Sequence, residues 1–133
     1  MPRGTVVIVE DVGTCATTLE MAFLAIPGIS IVVLPAAMEA LRMLDSGNDT
    51  VSAIVTDLNM PRMDGFEFIE RIRAEPRHKR LPIIVVSGDT DPRTPARLSE
   101  LGADAFFSKP YSPARVRLKL EELLDANLAD HSS

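Results

Sequence analysis

Five short runs of apolar residues, most of them rich in valine and isoleucine, recur along the chain at similar intervals. They are residues 5–9, 29–34, 53–56, 83–87 and 105–108. Runs of this length and β-branched content are typical of strands buried on both faces of a parallel sheet. The stretches between them carry apolar residues at helical spacing. The sequence therefore predicts five strands that alternate with five helices.

Residues that start and stop helices support the same division. The predicted helices cover residues 14–25, 36–44, 65–75, 95–101 and 112–128. Asp64 and Glu67 form a capping-box pattern, and Thr94 and Ser112 each precede a proline at a first helical position. Gly102 stands where a C-cap glycine is expected. Strands joined by helices pair in parallel through right-handed crossovers, which predicts a doubly wound α/β sandwich.

Length and composition limit the classes of function. The 133 residues correspond to one domain, whose polar last residues 129–133 are expected to fray. A net charge of −5 argues against direct nucleic-acid binding. The single cysteine, Cys15, excludes an intramolecular disulfide, and the two histidines are too far apart in sequence to suggest a zinc site. No apolar run approaches a signal peptide or the roughly 20 residues of a membrane helix, so we expect a cytoplasmic location.

Reactive side chains follow four of the five predicted strands. Glu10 and Asp11 come after the first strand, Asp57 after the third, Ser87 ends the fourth, and Lys109 follows the fifth. In an open parallel sheet, ligands bind outside the carboxyl ends of the strands, at the point where the strand order reverses. Three carboxylates, one hydroxyl and one ammonium group are therefore expected at one edge of the sheet.

Three acids so close together either have a raised pKa or require a cation. Lys109 supplies one positive charge, and a divalent ion can supply the rest. Because all the candidate ligands are oxygens, Mg²⁺ or Mn²⁺ is favoured over zinc or copper. Such a site can receive a phosphoryl group, with Asp57 as the nucleophile that forms an aspartyl phosphate.

Four elements of the sequence, taken together, resemble the receiver domains of response regulators in two-component signalling, including single-domain chemotaxis regulators. They are Glu10-Asp11, the stretch Asp57-Leu-Asn-Met-Pro-Arg-Met-Asp-Gly65, Ser87-Gly88 and Lys109-Pro110, in this order and at the spacing of the family. The resemblance covers about residues 4–128. It implies a flavodoxin-like (βα)5 fold, with a five-stranded parallel sheet in the order 2-1-3-4-5.

The resemblance also implies a role for each matching side chain at the reaction centre. Asp57 corresponds to the phosphoacceptor, which a sensor histidine kinase or a phosphotransfer protein would phosphorylate. Ser87 corresponds to the switch hydroxyl and Lys109 to the residue that contacts the phosphoryl group. Phe106 falls at the position of the rotating aromatic side chain. The surface of the fourth helix, fifth strand and fifth helix would then control an unknown partner or form a homodimer.

A metal site follows from the same resemblance. Asp11 and Asp57 would bind Mg²⁺ directly, and the backbone carbonyl of Asn59 would be a third ligand. Glu10 would hold a water molecule of the ion. Pro110 would follow a cis peptide bond, a geometry that is found mainly at special turns.

Some positions depart from the usual family pattern. Glu10 is longer than the more common aspartate, and Gly88 replaces a more common alanine and loosens its loop. Phe106 has no hydroxyl that would need a hydrogen-bond partner when it turns inward. Asp89 lies two residues beyond Ser87, and our hypothesis is that it influences the attacking water and so the lifetime of the phosphoryl group.

Three alternative functions are weaker on sequence grounds. A Mg²⁺-dependent aspartyl-phosphate hydrolase needs an acid two residues after its nucleophile, where this chain has Asn59. A flavin-binding module needs neutral donors in its first loop, where Glu10 and Asp11 would repel a phosphate. A degenerate receiver that only binds proteins would have lost acids or the lysine, and none is lost. We therefore expect a switch and not an enzyme, with at most self-phosphorylation from small donors and slow self-dephosphorylation.

Overall fold

The computed structural model describes residues 4–11, 13–46, 51–60 and 62–132, and it leaves the side chains of residues 127–132 undescribed. Strands and helices alternate as predicted. They are β1 (Gly4–Val9), α1 (Gly13–Phe23), β2 (Ile29–Leu34), α2 (Ala37–Ser46), β3 (Val51–Thr56), α3 (Gly65–Ala74), β4 (Ile83–Ser87), α4 (Thr94–Leu101), β5 (Ala105–Ser108) and α5 (Pro113–Ser132). A short 3-10 helix, Pro76–His78, follows α3.

The five strands form one parallel sheet in the order β2-β1-β3-β4-β5, which confirms the predicted topology. β4 is buried along its whole length, and the last four residues of β1 and of β3 are buried too. Val9 lies opposite Thr56, and Ser87 lies opposite Ser108. The register therefore brings the carboxyl ends of these strands to a common edge.

Two hydrophobic clusters cover the two faces of the sheet. Because side chains alternate along a strand, neighbouring residues of β1 belong to different clusters. Val7 packs in one cluster with Phe68 of α3 and with residues of α2 and α4. Ile8 packs in the other with Phe23 of α1 and Leu120 of α5. This division confirms the doubly wound arrangement and places helices on both faces.

The structure corrects one predicted helix cap and confirms another. Thr94 was predicted as an N-cap, but it is the first helical residue of α4, and Arg93 occupies the cap position without a side-chain cap bond. The Arg97 amide donates to the Arg93 carbonyl (3.1 Å), so the first helical hydrogen bond starts at Arg93 and Thr94 already lies inside the helix. Asp64 caps α3 as predicted, since its side chain accepts the Glu67 amide (2.9 Å).

Other helix ends differ from the predicted ones by a few residues. α1 ends at Phe23 and not at Ala25, before a turn that leads to β2. α5 continues to Ser132 and not only to Leu128, because the residues from 129 to 132 contain no glycine or proline that would end a helix. Gly102 ends α4 with a φ of +101°, as predicted. In the part of the chain that the structure describes, no helix combines the length and the apolar character needed to cross a membrane.

Candidate functional site

Backbone hydrogen bonds fix the positions of three candidate residues at the carboxyl edge of the sheet. The Glu10 amide donates to the Leu34 carbonyl (3.0 Å), and the Asp57 amide donates to the Val9 carbonyl (3.1 Å). The Lys109 amide donates to the carbonyl of the last residue of β4 (2.8 Å). The parallel ladder thus continues one residue beyond these strands, and the three side chains start from defined points.

The Asp57 carboxylate has hydrogen-bond partners on both of its oxygens. Oδ1 accepts the amides of Leu58 (2.6 Å) and Asn59 (3.1 Å). Oδ2 accepts a hydrogen bond from Nζ of Lys109 (2.9 Å). Asp57 is only 5% exposed. The turn after β3 and the lysine after β5 therefore orient one nearly buried carboxylate from two directions.

Lys109 is shared between two carboxylates. Its Nζ lies 2.9 Å from Oδ2 of Asp57 and 3.3 Å from Oε2 of Glu10. Burial lowers the pKa of Lys109, but the hydrogen bond and charge of Asp57, followed by the charge and hydrogen bond of Glu10, outweigh burial and raise its pKa above the ordinary value. Lys109 is therefore positively charged at neutral pH. One ammonium group thus joins two carboxyl groups that come from the ends of different strands.

The predicted metal ligands divide into buried and exposed groups. Glu10 and Asp57 are buried, whereas Asp11 and Asn59 are exposed at the surface beside them. Among the described residues, no three His, Cys, Asp or Glu side chains are grouped as a ready metal site. The ligand set implied by the resemblance needs fewer, namely two direct carboxylates and one backbone carbonyl. A donor set made only of oxygens suits a hard divalent cation.

Ser87 begins a chain of local hydrogen bonds that forms the loop between β4 and α4. Its buried Oγ accepts the Asp89 amide (3.1 Å), and Oδ1 of Asp89 accepts the Asp91 amide (2.7 Å). The Asp91 carboxylate pairs with the Arg93 guanidinium (2.9 Å). Side-chain and backbone hydrogen bonds from Arg93 lower the pKa of Asp91 to about 2. The predicted switch hydroxyl is thus connected, through three loop residues, to the start of α4.

Phe106 and Pro110 lie on either side of Lys109 as the resemblance implies. Phe106 is opposite Val85 in the pairing of β4 with β5. Its ring is half-buried and packs against the cluster that includes α3 and α4. The Lys109-Pro110 peptide bond is cis, which confirms that prediction. An aromatic side chain at this position borders both the core and the surface beside α4.

Two residues around Asp57 have roles that sequence reasoning missed. Thr56 is fully buried, and its hydroxyl donates to the Asp57 carbonyl (2.9 Å). Gly65 donates its amide to the Leu58 carbonyl (2.8 Å). A Cβ on Gly65 would lie 2.7 Å from the Cα of Leu58 and 2.8 Å from the carbonyl oxygen of Asp57. No sequence signal separates Thr56 from other strand residues, whereas Gly65 was visible only as part of a motif.

The fold and the site together define a class of protein, a doubly wound domain that holds a buried aspartate and a lysine at its topological switch point. The family described as the response regulator receiver domain matches residues 6–121. The chain therefore belongs to the response-regulator receiver domain family, and the predicted resemblance is confirmed.

Individual relatives agree with this assignment. The chemotaxis protein CheY1 of Helicobacter pylori strain J99 is 32% identical over 90 residues, which are 68% of this chain and 72% of CheY1. The crystal structure of a putative response regulator from Chloroflexus aurantiacus J-10-fl has 27% identity and a TM-score of 0.82, and the alignment covers 94% of this chain and 99% of that one. The Mn²⁺-bound form of the response regulator Rcp1 shares the fold, with a TM-score of 0.77, 18% identity and coverage of 90% and 91%.

Proposed function

We propose that this chain is a phosphorylation-dependent signalling switch in which Asp57 accepts a phosphoryl group. Receiver domains accept phosphoryl groups from histidine kinases, and the proposed donor here is a sensor histidine kinase or a phosphotransfer protein. The observation that carries the proposal is the 2.9 Å contact between Nζ of Lys109 and Oδ2 of Asp57 at the buried end of β3. This contact places a cation within reach of any phosphoryl group on Asp57.

The residues present can account for the chemistry of this transfer. An Asp57 oxygen attacks phosphorus, so a new P–O bond forms while the bond between phosphorus and the donor breaks and the donor keeps its electron pair. Lys109 stays protonated, and its charge offsets the charge of the phosphoryl oxygens. The hydroxyl of Ser87 accepts a hydrogen bond from the Asp89 amide, so its own proton is available for a phosphoryl oxygen.

A divalent cation is part of this proposal. Receiver domains generally bind Mg²⁺ or Mn²⁺ at the acidic site. In this chain Asp11, Asp57 and the Asn59 carbonyl would hold Mg²⁺, or Mn²⁺, with Glu10 at a water of the ion's hydration shell. Such an ion adds positive charge beside the phosphoryl oxygens when it is bound. The all-oxygen donor set and the exposure of Asp11 support these assignments.

Mg²⁺ should stabilise the wild-type chain, and the Asp11→Asn variant should lose most of that effect. Binding at 100 times the Kd would add about 2.7 kcal/mol of stability. Asp11 is exposed, so its substitution removes a proposed ligand without disturbing Lys109. The measurement is the thermal unfolding midpoint with and without MgCl2 at constant ionic strength. The matched control is Asp45→Asn, which makes the same substitution at an exposed position on α2. Equal Mg²⁺ responses of wild type and Asp11→Asn would contradict the ligand assignment.

We further propose that phosphorylation changes the surface formed by α4, β5 and α5. Ser87 would move toward the phosphoryl group and Phe106 would turn inward, and a partner protein or a second copy would read the change. The half-buried position of Phe106 supports this role. We propose that the chain acts in the cytoplasm. We also propose that it is a switch and not an enzyme, because Asn59 cannot exchange the proton that a hydrolase would need.

One assay tests the proposed function directly. The chain is incubated with acetyl phosphate, with and without Mg²⁺, and its intact mass is measured. We expect a single added phosphoryl group that requires Mg²⁺ and is lost in base, as acyl phosphates are. Beryllofluoride with Mg²⁺ should shift the amide NMR signals of Ser87 and Asp89. If neither reagent modifies or perturbs the protein, the phosphoacceptor function is wrong and the degenerate-receiver alternative replaces it.

Asp89 provides a separate prediction about the lifetime of the phosphoryl group. Its Oδ1 accepts the Asp91 amide, so Asp89→Ala removes the hydrogen bond that orders the loop beside Ser87. We expect self-dephosphorylation to become roughly threefold faster or more, corresponding to a hydrogen bond of about 0.5–1.5 kcal/mol. Asp89→Asn keeps the acceptor and isolates the effect of charge. An unchanged rate in Asp89→Ala would eliminate this role.

A further inference from the structure

The C-terminal end of α4 is attached firmly to α3. The guanidinium group of Arg73, on α3, donates to the Gly102 carbonyl from Nε (3.1 Å) and from Nη2 (2.7 Å). Nη1 donates to the His78 carbonyl (2.8 Å), and Nη2 pairs with the Asp104 carboxylate (3.3 Å). One arginine therefore joins α3, the 3-10 helix, the turn that ends α4 and the residue that precedes β5.

The turn held by Arg73 is also tied to β4. The Asp104 amide donates to the Ile83 carbonyl (2.8 Å), and the Ile83 amide donates to Oδ2 of Asp104 (2.8 Å). A Cβ on Gly102 would lie 2.9 Å from Nε of Arg73, so the guanidinium packs closely on the glycine. The Arg73 side chain is only 17% exposed. Charge-assisted hydrogen bonds that are shielded in this way hold more strongly than exposed ion pairs.

The N-terminal end of α4 is attached to α3 more weakly than the C-terminal end is. The guanidinium of Arg97 stacks over the ring of Phe66 on α3, 3.8 Å from its centroid, and Arg97 is exposed, which weakens the attraction. No side-chain hydrogen bond caps this end of the helix. Free volume lies beside it, in a cavity of about 280 Å³. The residues that line this cavity are Phe66, Asp89, Asp91, Arg93, Thr94 and Arg97.

We infer that α4 is a lever with a fixed end at Gly102 and a movable end at Thr94, and that Arg73 is the positioning residue that fixes its pivot. The hydrogen-bonded loop that starts at the Ser87 hydroxyl leads directly into the movable end. A displacement of Ser87 therefore swings the first turn of α4 into or out of the cavity and leaves the turn before β5 in place. The inference rests on the proposed function for the event that displaces Ser87. The difference between the two ends of α4 is a property of the fold.

Amide hydrogen exchange of the full chain tests the two ends separately, first without any phosphoryl analogue. Arg73→Gln should raise the exchange rates of the Gly102 and Ala103 amides roughly tenfold or more, because charge-assisted hydrogen bonds are lost. The exchange rates of the Arg97 and Leu98 amides should stay within about twofold of the wild-type rates. Arg97→Ala should raise exchange at Leu98 and leave Gly102 unchanged. If Arg73→Gln leaves Gly102 unchanged, or opens both ends equally, the lever is wrong.

Two further variants control for charge and for folding. Arg77→Gln removes the same charge from an exposed side chain near α3 that pairs with Glu75 (3.3 Å), and it should alter neither end of α4. Arg73→Lys keeps the charge but cannot repeat the forked contact with Gly102. Arg73→Lys should raise exchange of the Gly102 amide by a smaller factor than Arg73→Gln does. If Arg73→Gln does not fold, Arg73→Lys is measured in its place.

The same exchange measurement is then repeated with beryllofluoride and Mg²⁺ as the phosphoryl analogue. In wild type, exchange should change at Arg97 and Leu98 and stay constant at Gly102, whereas in Arg73→Gln the change should extend to Gly102. An equal wild-type response at both ends would overturn the lever. If wild type shows no response anywhere while Arg73→Gln still opens Gly102 alone, the lever stands as a property of the fold and the phosphorylation switch is the proposal that fails.

Discussion

Asp57→Asn should abolish phosphorylation by acetyl phosphate under conditions in which the wild-type chain gains one phosphoryl group. The amide side chain has nearly the same size, and its oxygen can still accept the hydrogen bonds of Leu58 and Asn59. It offers no nucleophilic carboxylate oxygen, however, and its NH2 group would face the ammonium group of Lys109. The expected result is therefore complete loss of the modification from a chain that remains folded.

Intact-mass spectrometry measures this loss, and a second aspartate in the same region provides the control. Asp64 is exposed and caps α3, a role that asparagine also performs well. Asp64→Asn should therefore be phosphorylated like wild type. Thermal midpoints of both variants show whether the fold is intact. Phosphorylation of Asp57→Asn to the wild-type extent would place the acceptor on another residue and would overturn the central assignment.

Gly65→Ala should strongly destabilise the protein, because the added methyl group has no space. It would lie 2.7 Å from the Cα of Leu58 and 2.8 Å from the carbonyl oxygen of Asp57, and backbone atoms cannot move aside as a flexible side chain can. Overpacking of this kind costs about 3 kcal/mol. For a chain of this length the thermal midpoint should fall by roughly 10 °C. The strain falls on the loop that orients Asp57, so phosphorylation should also slow.

Gly13→Ala is the matched control for this substitution. Gly13 is the first residue of α1, and no atom lies within 4 Å of the position that its Cβ would occupy. Alanine favours helices, so this variant should keep or slightly raise the midpoint, by at most about 1 kcal/mol of stability. Thermal unfolding followed by circular dichroism distinguishes the two glycines. Equal midpoints for the two variants would show that the close approach at Gly65 does not constrain the loop.

The predicted fold follows from features that act locally along the chain. Runs such as 83–87 contain mostly β-branched residues and are too short for helices, so they specify strands before any tertiary contact forms. Connections of helical period between such strands leave parallel pairing as the consistent arrangement. The candidate site follows as well, because the carboxyl ends of parallel strands share an edge. That rule alone placed Glu10, Asp57 and Lys109 together, and their ion pairs bear it out.

The errors arise at the ends of helices, where a local pattern in the sequence competes with backbone hydrogen bonding. Thr94 before a proline has the pattern of an N-cap, yet the Arg97 amide donates to the Arg93 carbonyl, which makes Thr94 the first helical residue and leaves Arg93 at the cap position. The end of α5 was predicted from polarity, but polar residues extend a helix as long as nothing stops it. At the start of α4 and at the end of α5 the sequence pattern is present, but other interactions set the boundary of the helix.

The amino-acid sequence by itself determined the alternation of strands and helices, the edge where the reactive groups meet and the family to which the chain belongs. These properties depend on residue type and spacing, which are local. Only the tertiary structure decided that Gly65 must lack a side chain, that Ser87 is bonded to the loop leading into α4, and that Arg73 holds Gly102 across 29 positions of the chain. Each of these three features depends on the distance between atoms that come together only when the chain folds. The spacing of residues along the sequence does not give that distance.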